Sequence, residues 1–267
     1  MRRRLYSIAK PVTHLTTPLS HKDPDTRLLD PDYFSIDVKD LTWFNKVNLA
    51  VRRDTEKLSI SSDYMHIQRV SMSAWHLYQA DTSQGLAGTI DSRTVVVAAM
   101  VSSLGALLYT RAYEKQTVQQ VDTAEDEQTT QNDLLFEFLR SLDCPPDVAG
   151  PAALIASFFG SDGETNDKEN FQGHCEAYPA LKFVHDAVKL DELGCVGIAR
   201  LGMQNKETIL EMVHTMDTKL VHYAGLMQTQ SGKKEAEKRW SQMLEFRECF
   251  IAQANCSIGL KSDRERT

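Results

Sequence analysis

Hydrophobic residues recur at helical spacing along much of the chain. Between Met65 and Tyr78 they lie mostly three or four positions apart, which predicts a helix with one buried face. From Ile209 to Met227 apolar residues step alternately by four and three positions, which predicts one long helix with an apolar stripe. A second helix is predicted from Lys233, after the turn QSGKK. We expect an antiparallel helix pair in a core, with a partner or self-assembly surface as the alternative.

The stretch TVVVAAMVSSLGALLYT (94–110) contains no charged residue and raises the question of a membrane span. Its length is near the lower limit for a span, and its Thr, Ser, Gly and Ala residues contribute little to membrane insertion. Asp91 and Ser92 lie directly in front of it and are typical helix caps. We therefore expect a buried helix in the core of a water-soluble protein.

The chain has only 13 glycines, and after Pro151 only Pro179 remains, which favours helices because both residues disfavour helix interiors. The acidic segment TVQQVDTAEDEQTTQND (117–133) has no apolar periodicity and is predicted to be a loop or linker. The predicted fold is mainly α with two helical lobes. An extended N-terminal arm covers 1–39, a basic lobe covers 40–143, and an acidic lobe with the C-terminal helix pair covers 144–267.

The two halves of the chain differ in charge. Residues 1–120 carry a net charge of +3 and residues 121–267 carry a net charge of −10. Either these are two ordinary solvated surfaces, or the first half faces a polyanion. The 5 cysteines include no C-x-x-C pair, which is typical of reduced thiols in a cytoplasmic, nuclear or matrix protein.

The first 22 residues contain no acidic side chain and are rich in Arg, Ser and Thr, a composition typical of a mitochondrial transit peptide. Pro11 and Pro18 interrupt any long amphipathic helix there. We therefore favour an arm that docks on a neighbouring subunit or on a ligand.

The sequence contains no phosphate-binding glycine loop, no G-x-S-x-G and no H-E-x-x-H. One enzymatic hypothesis is a helical phosphohydrolase, which would hold a divalent metal ion with a His, a His-Asp pair and a later Asp. The residues considered for it are His174, His185, Asp186, Asp191, His214, Asp217 and His222. Because their spacing does not match, and closely paired zinc ligands are missing, we expect no catalytic residue, no metal site and no cofactor.

Basic residues alternate with aromatic residues in the first half of the chain. This pattern suits single-stranded nucleic acid, because Arg contacts phosphate and aromatic rings stack on bases. The alternative is an ordinary charged surface. The residues predicted to contact nucleic acid are Arg52, Arg53, Lys57, Arg69, Arg93 and Arg111.

The segment YPALKFVHDAVKLDELGCVGIARLGM (178–203) resembles the carboxy-terminal lobe of nucleoproteins from negative-strand RNA viruses, in particular bornavirus-like ones. The resemblance covers about a tenth of the chain. It implies a two-lobed helical protein that polymerises along single-stranded RNA and exchanges terminal arms. Helical coat proteins of filamentous viruses fit the same layout.

We therefore predict a non-enzymatic, nucleocapsid-like protein, located in the cytoplasm or in a virion, that coats single-stranded RNA. Residues 1–35 and the C-terminal helices would contact neighbouring copies in a homo-oligomer or filament. The alternative is a mitochondrial subunit of a larger assembly, with residues 1–22 as a targeting segment and a membrane-associated helix at 94–110.

Overall fold

The computed structural model describes residues 28–55, 64–85, 90–105, 108, 130–159, 168–204 and 208–254. These residues form helices and no strands, which confirms the predicted mainly α fold class. Short 3-10 helices lie at Val38–Asp40 and Leu220–His222. The α-helices are α1 (Leu41–Thr55), α2 (Tyr64–Ser83), α3 (Ser92–Val101), α4 (Gln131–Ser141), α5 (Pro146–Ser157), α6 (Lys168–Ala177), α7 (Ala180–Asp191), α8 (Gly194–Gln204), α9 (Ile209–Thr218), α10 (Tyr223–Leu226) and α11 (Gln230–Ala254).

Helix α3 lies at the centre of the core. Every side chain from Thr94 to Val101 is buried, and the helix packs against α2, α5 and α7. A helix that is apolar on all sides has to be surrounded by other helices. The Asp91 side chain accepts the backbone N–H of Arg93 at 2.9 Å and caps the helix. The predicted buried helix and its cap are confirmed for this part of the 94–110 stretch.

None of the described helices is long and apolar enough to cross a membrane.

Helix α11 is tied to the core at its first turn. The backbone N–H groups of Gln228 and Thr229 both donate to the buried Asp186 carboxylate at 2.8 Å, and the Thr229 hydroxyl donates to it at 2.6 Å. Gly232 packs directly against this carboxylate. Beyond this turn α11 packs against α7, α8, α10 and α2.

The prediction of one long helix up to Met227 is wrong. Helix α9 ends at Thr218, and a 3-10 turn and the four-residue α10 follow it. The predicted turn QSGKK is also wrong, because these residues form the first turn of α11. The apolar stripe still marks burial correctly, since Met216, Leu220 and Tyr223 are all buried.

The domain boundaries at 39/40 and 143/144 stay predictions. Residues on both sides of the second boundary belong to one hydrophobic cluster, in which α2 packs on α7 and α3 packs on α5. Residues 1–27 and most of the predicted linker lie outside the described residues. Within the remainder of the predicted arm, Phe34 and Ile36 are buried in the core.

Candidate functional site

Three helices converge on the buried carboxylate of Asp191. His66 and Arg69, which lie one turn apart on α2, both contact it: the distance to Asp191 is 2.7 Å from His66 Nδ1 and 2.6 Å from Arg69 Nε. Arg200 on α8 also donates to the same carboxylate. Since a carboxylate can only accept, we place the His66 proton on Nδ1. We call these four residues the Asp191 cluster.

The position of Asp191 explains why it needs several cationic partners. It is the last residue of α7, where the helix dipole disfavours a negative charge, and its side chain is 3% exposed. Burial by itself would raise the pKa of the carboxyl group. The hydrogen bonds from His66 and Arg69 more than offset this and hold the pKa of Asp191 well below its usual range. The carboxylate is therefore ionised at any physiological pH.

The chain turns sharply between α7 and α8, and this turn brings Arg200 back to Asp191. Gly194 begins α8 with φ = +83°, a left-handed conformation that side chains rarely adopt. The turn places Asp191 and Arg200, nine residues apart, on facing sides of the junction.

A concave pocket of about 230 Å³ opens beside the Asp191 cluster. His66, Arg200 and Lys219 are the basic side chains in its wall, and Glu192 is the acidic one. Lys219 lies 3.6 Å from Glu192 and is more than half exposed, whereas Arg200 is mostly covered. Val188, Gly197 and Leu201 complete the wall. We call this the basic pocket, since its basic groups outnumber its acidic ones.

A second pocket of about 440 Å³ lies along the other side of Asp191, between α2, the start of α8 and α11. Arg69 and Arg239 are in its wall, but both guanidinium groups donate to protein oxygens: Arg69 to Asp191, and Arg239 to Glu235 and the Leu190 carbonyl. Glu235 also lines this pocket. The second pocket therefore has a more balanced charge than the basic pocket.

The side chains considered for a metal site do not come together. The His185–Asp186 pair is completely buried, and Asp186 serves as the acceptor for the first turn of α11. His174 packs against the Phe158 ring, Asp217 pairs with Arg247, and His214 and His222 are exposed. Only Asp191 belongs to the cluster described above.

The donor set of the described residues does not fit a divalent metal ion. No group of three or more His, Cys, Asp and Glu side chains among them could hold one. Around the basic pocket, His66 is held against Asp191, and Asp191 in turn is surrounded by guanidinium groups.

Four of the six residues predicted to contact nucleic acid lie in the described ranges, and at least three of these four pair with carboxylates. Arg69 belongs to the Asp191 cluster, and Arg93 donates to Asp40, Asp91 and Asp147. Arg52 is half-buried and the exposed Arg53 lies 3.8 Å from Asp54. Lys57 and Arg111 lie outside the described residues. Contacts of these residues with nucleic acid stay a prediction.

Sequence reasoning missed His66, Arg200 and Lys219 as members of a site. The sequence did contain a signal for His66. His66 and Arg69 lie three residues apart, which makes them neighbours on a helix, and most residues around them are apolar. No such signal exists for Arg200 or Lys219, since the turns after α7 and α9 bring these residues to the basic pocket.

No protein-family model matches the chain, and a search of curated proteins finds no significant match. Solved structures do match. The Bacillus subtilis protein YpgQ in complex with ADP is 20% identical, covers 78% of this chain and 97% of its own, and superimposes with a TM-score of 0.54. An HD-superfamily hydrolase from Bacillus thuringiensis is 19% identical with a TM-score of 0.53, covering 82% of this chain and 100% of its own. A Lactobacillus plantarum protein is 19% identical, covers 79% and 96%, and has a TM-score of 0.54.

These matches correct three predictions made from the sequence. The resemblance to viral nucleoproteins or coat proteins is wrong: the segment 178–203 that carried it forms α7 and α8, whose apolar pattern reflects packing in this helical core. The RNA-coating, nucleocapsid-like function is wrong for the same reason. The prediction of a non-enzymatic protein is also contradicted, because the fold is one that hydrolases share. The described helices share their fold with these solved structures, one of which is an HD-superfamily hydrolase.

Proposed function

We propose that this protein binds a phosphorylated small molecule in the basic pocket and acts in the class of phosphohydrolases. The observation that carries the proposal is the convergence of His66, Arg200 and Lys219 on one concave site of about 230 Å³. Guanidinium and ammonium groups are the side chains that proteins use most often for phosphate oxygens.

The geometry of the pocket supports a phosphate group as the part of the ligand that is held. Its volume is smaller than the roughly 300–1,000 Å³ of pockets that enclose a whole drug-sized ligand. A phosphate or diphosphate group would enter it, and the remainder of the ligand would extend outside. Arg200 is already oriented by its hydrogen bond to Asp191, so binding would order few additional side chains.

The fold supports nucleoside phosphates as the first compounds to test, and hydrolysis as the reaction. The neighbour YpgQ was solved with ADP, and another neighbour is a hydrolase of the HD superfamily. Similarity at this level concerns the fold, so both points come to this chain as part of the proposal.

The test is calorimetric titration of the full chain with ADP, ATP, AMP, inorganic pyrophosphate and adenosine, with phosphate release measured on the same samples. We expect binding of phosphorylated compounds and no binding of adenosine. Lys219→Met should weaken binding by at least about tenfold, because a hydrogen bond to a charged group contributes about 1.5–3 kcal/mol. Lys219 is more than half exposed, so its replacement should leave the fold intact.

Lys39→Met is the matched control, because Lys39 is a similarly exposed lysine that lines none of the described pockets and pairs with Asp37. It should bind the same compounds as the wild-type protein does. Failure of every phosphorylated compound to bind, or equal weakening by the two lysine variants, would overturn the proposal.

A further inference from the structure

We infer that the basic pocket binds phosphate without a divalent metal ion, and that Arg200 and Lys219 supply the positive charge that a metal ion would otherwise provide. This inference rests on the proposed function and specifies how the same pocket recognises its ligand. It follows from a disagreement between the fold, which suggests metal-dependent phosphoester chemistry, and the donor atoms present in the described residues.

The pocket wall has few side chains that can bind a metal ion, and these already have hydrogen-bond or ion-pair partners. Among the described wall residues only His66 and Glu192 carry such donors. His66 Nδ1 lies 2.7 Å from Asp191 and 3.0 Å from the Arg200 guanidinium. Glu192 accepts the Tyr223 hydroxyl at 2.9 Å and pairs with Lys219. Divalent ions in phosphoryl-transfer sites are held by at least one or two carboxylate or imidazole donors that are available to the metal ion.

The adjacent carboxylate is equally unsuitable. Both oxygens of Asp191 accept hydrogen bonds, Oδ1 from Arg69 and Oδ2 from His66, Arg69 and Arg200. A metal ion at Asp191 would have to displace guanidinium groups and would then lie beside their positive charges. Repulsion between like charges in a poorly solvated site makes this arrangement unfavourable.

The same charges favour an anion. Arg200 is directed by Asp191 and lies in the pocket wall, and guanidinium groups are well suited to binding phosphate oxygens. Lys219 stands at the exposed side of the pocket, where it pairs with Glu192. Arg69, Arg200 and Lys219 together carry one positive charge more than Asp191 and Glu192, and this surplus favours an anion.

The experiment compares ligand affinity in EDTA with affinity in buffers containing Mg²⁺ or Mn²⁺. The probes are inorganic pyrophosphate and ADP, titrated into the full chain by calorimetry, with a chemical analysis of metal in the protein as purified. We expect dissociation constants in EDTA within about threefold of those in either metal, and less than one metal ion per ten chains. Any phosphate release should also persist in EDTA.

Lys219→Met and Arg200→Lys should weaken binding about tenfold or more in EDTA and in Mn²⁺ alike, whereas Lys39→Met should match the wild-type protein. Arg200→Lys keeps the charge but loses the planar guanidinium group, so it also tests whether the shape of this group matters for binding. Binding that appears only when Mg²⁺ or Mn²⁺ is added, or that EDTA abolishes, would overturn this inference and leave the proposed function standing. Absence of binding under every condition would overturn both.

Discussion

Asp191 shows how a single residue can connect distant parts of the chain. Its partners lie 125, 122 and 9 positions away in the sequence, yet they all reach one carboxylate. Sequence reasoning considered Asp191 among several candidates for a metal ligand and then expected no metal site. The structure gives it the role of orienting three basic side chains: His66 and Arg200 line the basic pocket, and Arg69 lines the second pocket.

Replacing Asp191 with Asn should destabilise the protein by about 3 kcal/mol, because it removes the only full negative charge in a buried group of cations. Urea unfolding followed by circular dichroism measures the change in the free energy of unfolding. Asp143→Asn is the control, since Asp143 pairs with Lys46 at the surface and such exposed pairs contribute about 0–1 kcal/mol. Equal losses for the two variants would contradict the role given to Asp191.

The contribution of Asp191 should also depend on pH in one direction. Its pKa in the folded protein lies below the value of about 3.9 for an unperturbed Asp, so its stabilising effect is present above that pH. The effect shrinks as the pH falls below about 4 towards the folded pKa. The stability difference between wild type and Asp191→Asn should therefore be constant from pH 7 to pH 5 and smaller at pH 3. A difference that grows on acidification would be inconsistent with this.

At the scale of elements, burial was easier to predict than continuity. The apolar stripe from Ile209 to Met227 predicted one helix, but α9 ends at Thr218, and the backbone leaves helical geometry altogether at Met227, where ψ is 133°. The extended residue presents the amides of Gln228 and Thr229 to Asp186. An interaction with a residue some forty positions earlier in the chain thus determines the path between α10 and α11, and no local periodicity reports such an interaction.

Helix caps were more accessible to sequence reasoning because they are local. Asp91 was predicted as a cap for α3 and serves as one. The helix α4 begins at Gln131, within the last residues of the predicted linker, with Thr130 as the cap and Asp133 as its reciprocal partner. Both residues are of types that favour a helix start.

The junction at the start of α11 gives a prediction at this scale. A Cβ added at Gly232 would lie 2.3 Å from an Asp186 oxygen, so Gly232→Ala should force the carboxylate away from its donors and destabilise the protein by about 1–3 kcal/mol. Gly225→Ala is the matched control, because an added Cβ there meets nothing within 4 Å. Thermal and urea unfolding of both variants measure the effect. If Gly232→Ala unfolded at the same urea concentration as Gly225→Ala, the tight junction would be refuted.

At the scale of the whole molecule, the apolar face of α11 extends further than the core that covers it. Gly232, Ala236 and Met243 are buried, but Leu244, Phe246 and Ile251 are exposed although they lie on or next to the same face. The expectation that the C-terminal helices contact another copy of the chain stays a prediction, and this face is where we propose that contact.

If a second copy covers this face, the double variant Leu244→Ser and Ile251→Ser should convert a dimer into a monomer. Light scattering coupled to size-exclusion chromatography gives the molar mass of each species. Leu49→Ser is the control, because Leu49 is an exposed leucine on α1. A wild-type protein that is monomeric at about 100 µM, where weak dimers would be populated, would contradict the proposal.

The sequence by itself determined the helical class, the buried character of α3 and the caps at helix starts. These properties follow from the spacing of apolar residues and from the side chains next to a helix end, so they can be inferred within a short segment. The uncharged stretch 94–110 was also interpreted correctly as a core helix, as far as its residues are described.

Only the tertiary structure decided which polar residues act together. His66, Arg200 and Lys219 come from separate segments, and two turns, at Gly194 and after Thr218, determine where the last two lie. The nucleocapsid interpretation was wrong because it inferred a partner from the composition of one half of the chain, while α2 and α3 of that half pack directly on α7 and α5. Function depends on distances between residues far apart in sequence, and these distances exist only once the core has formed.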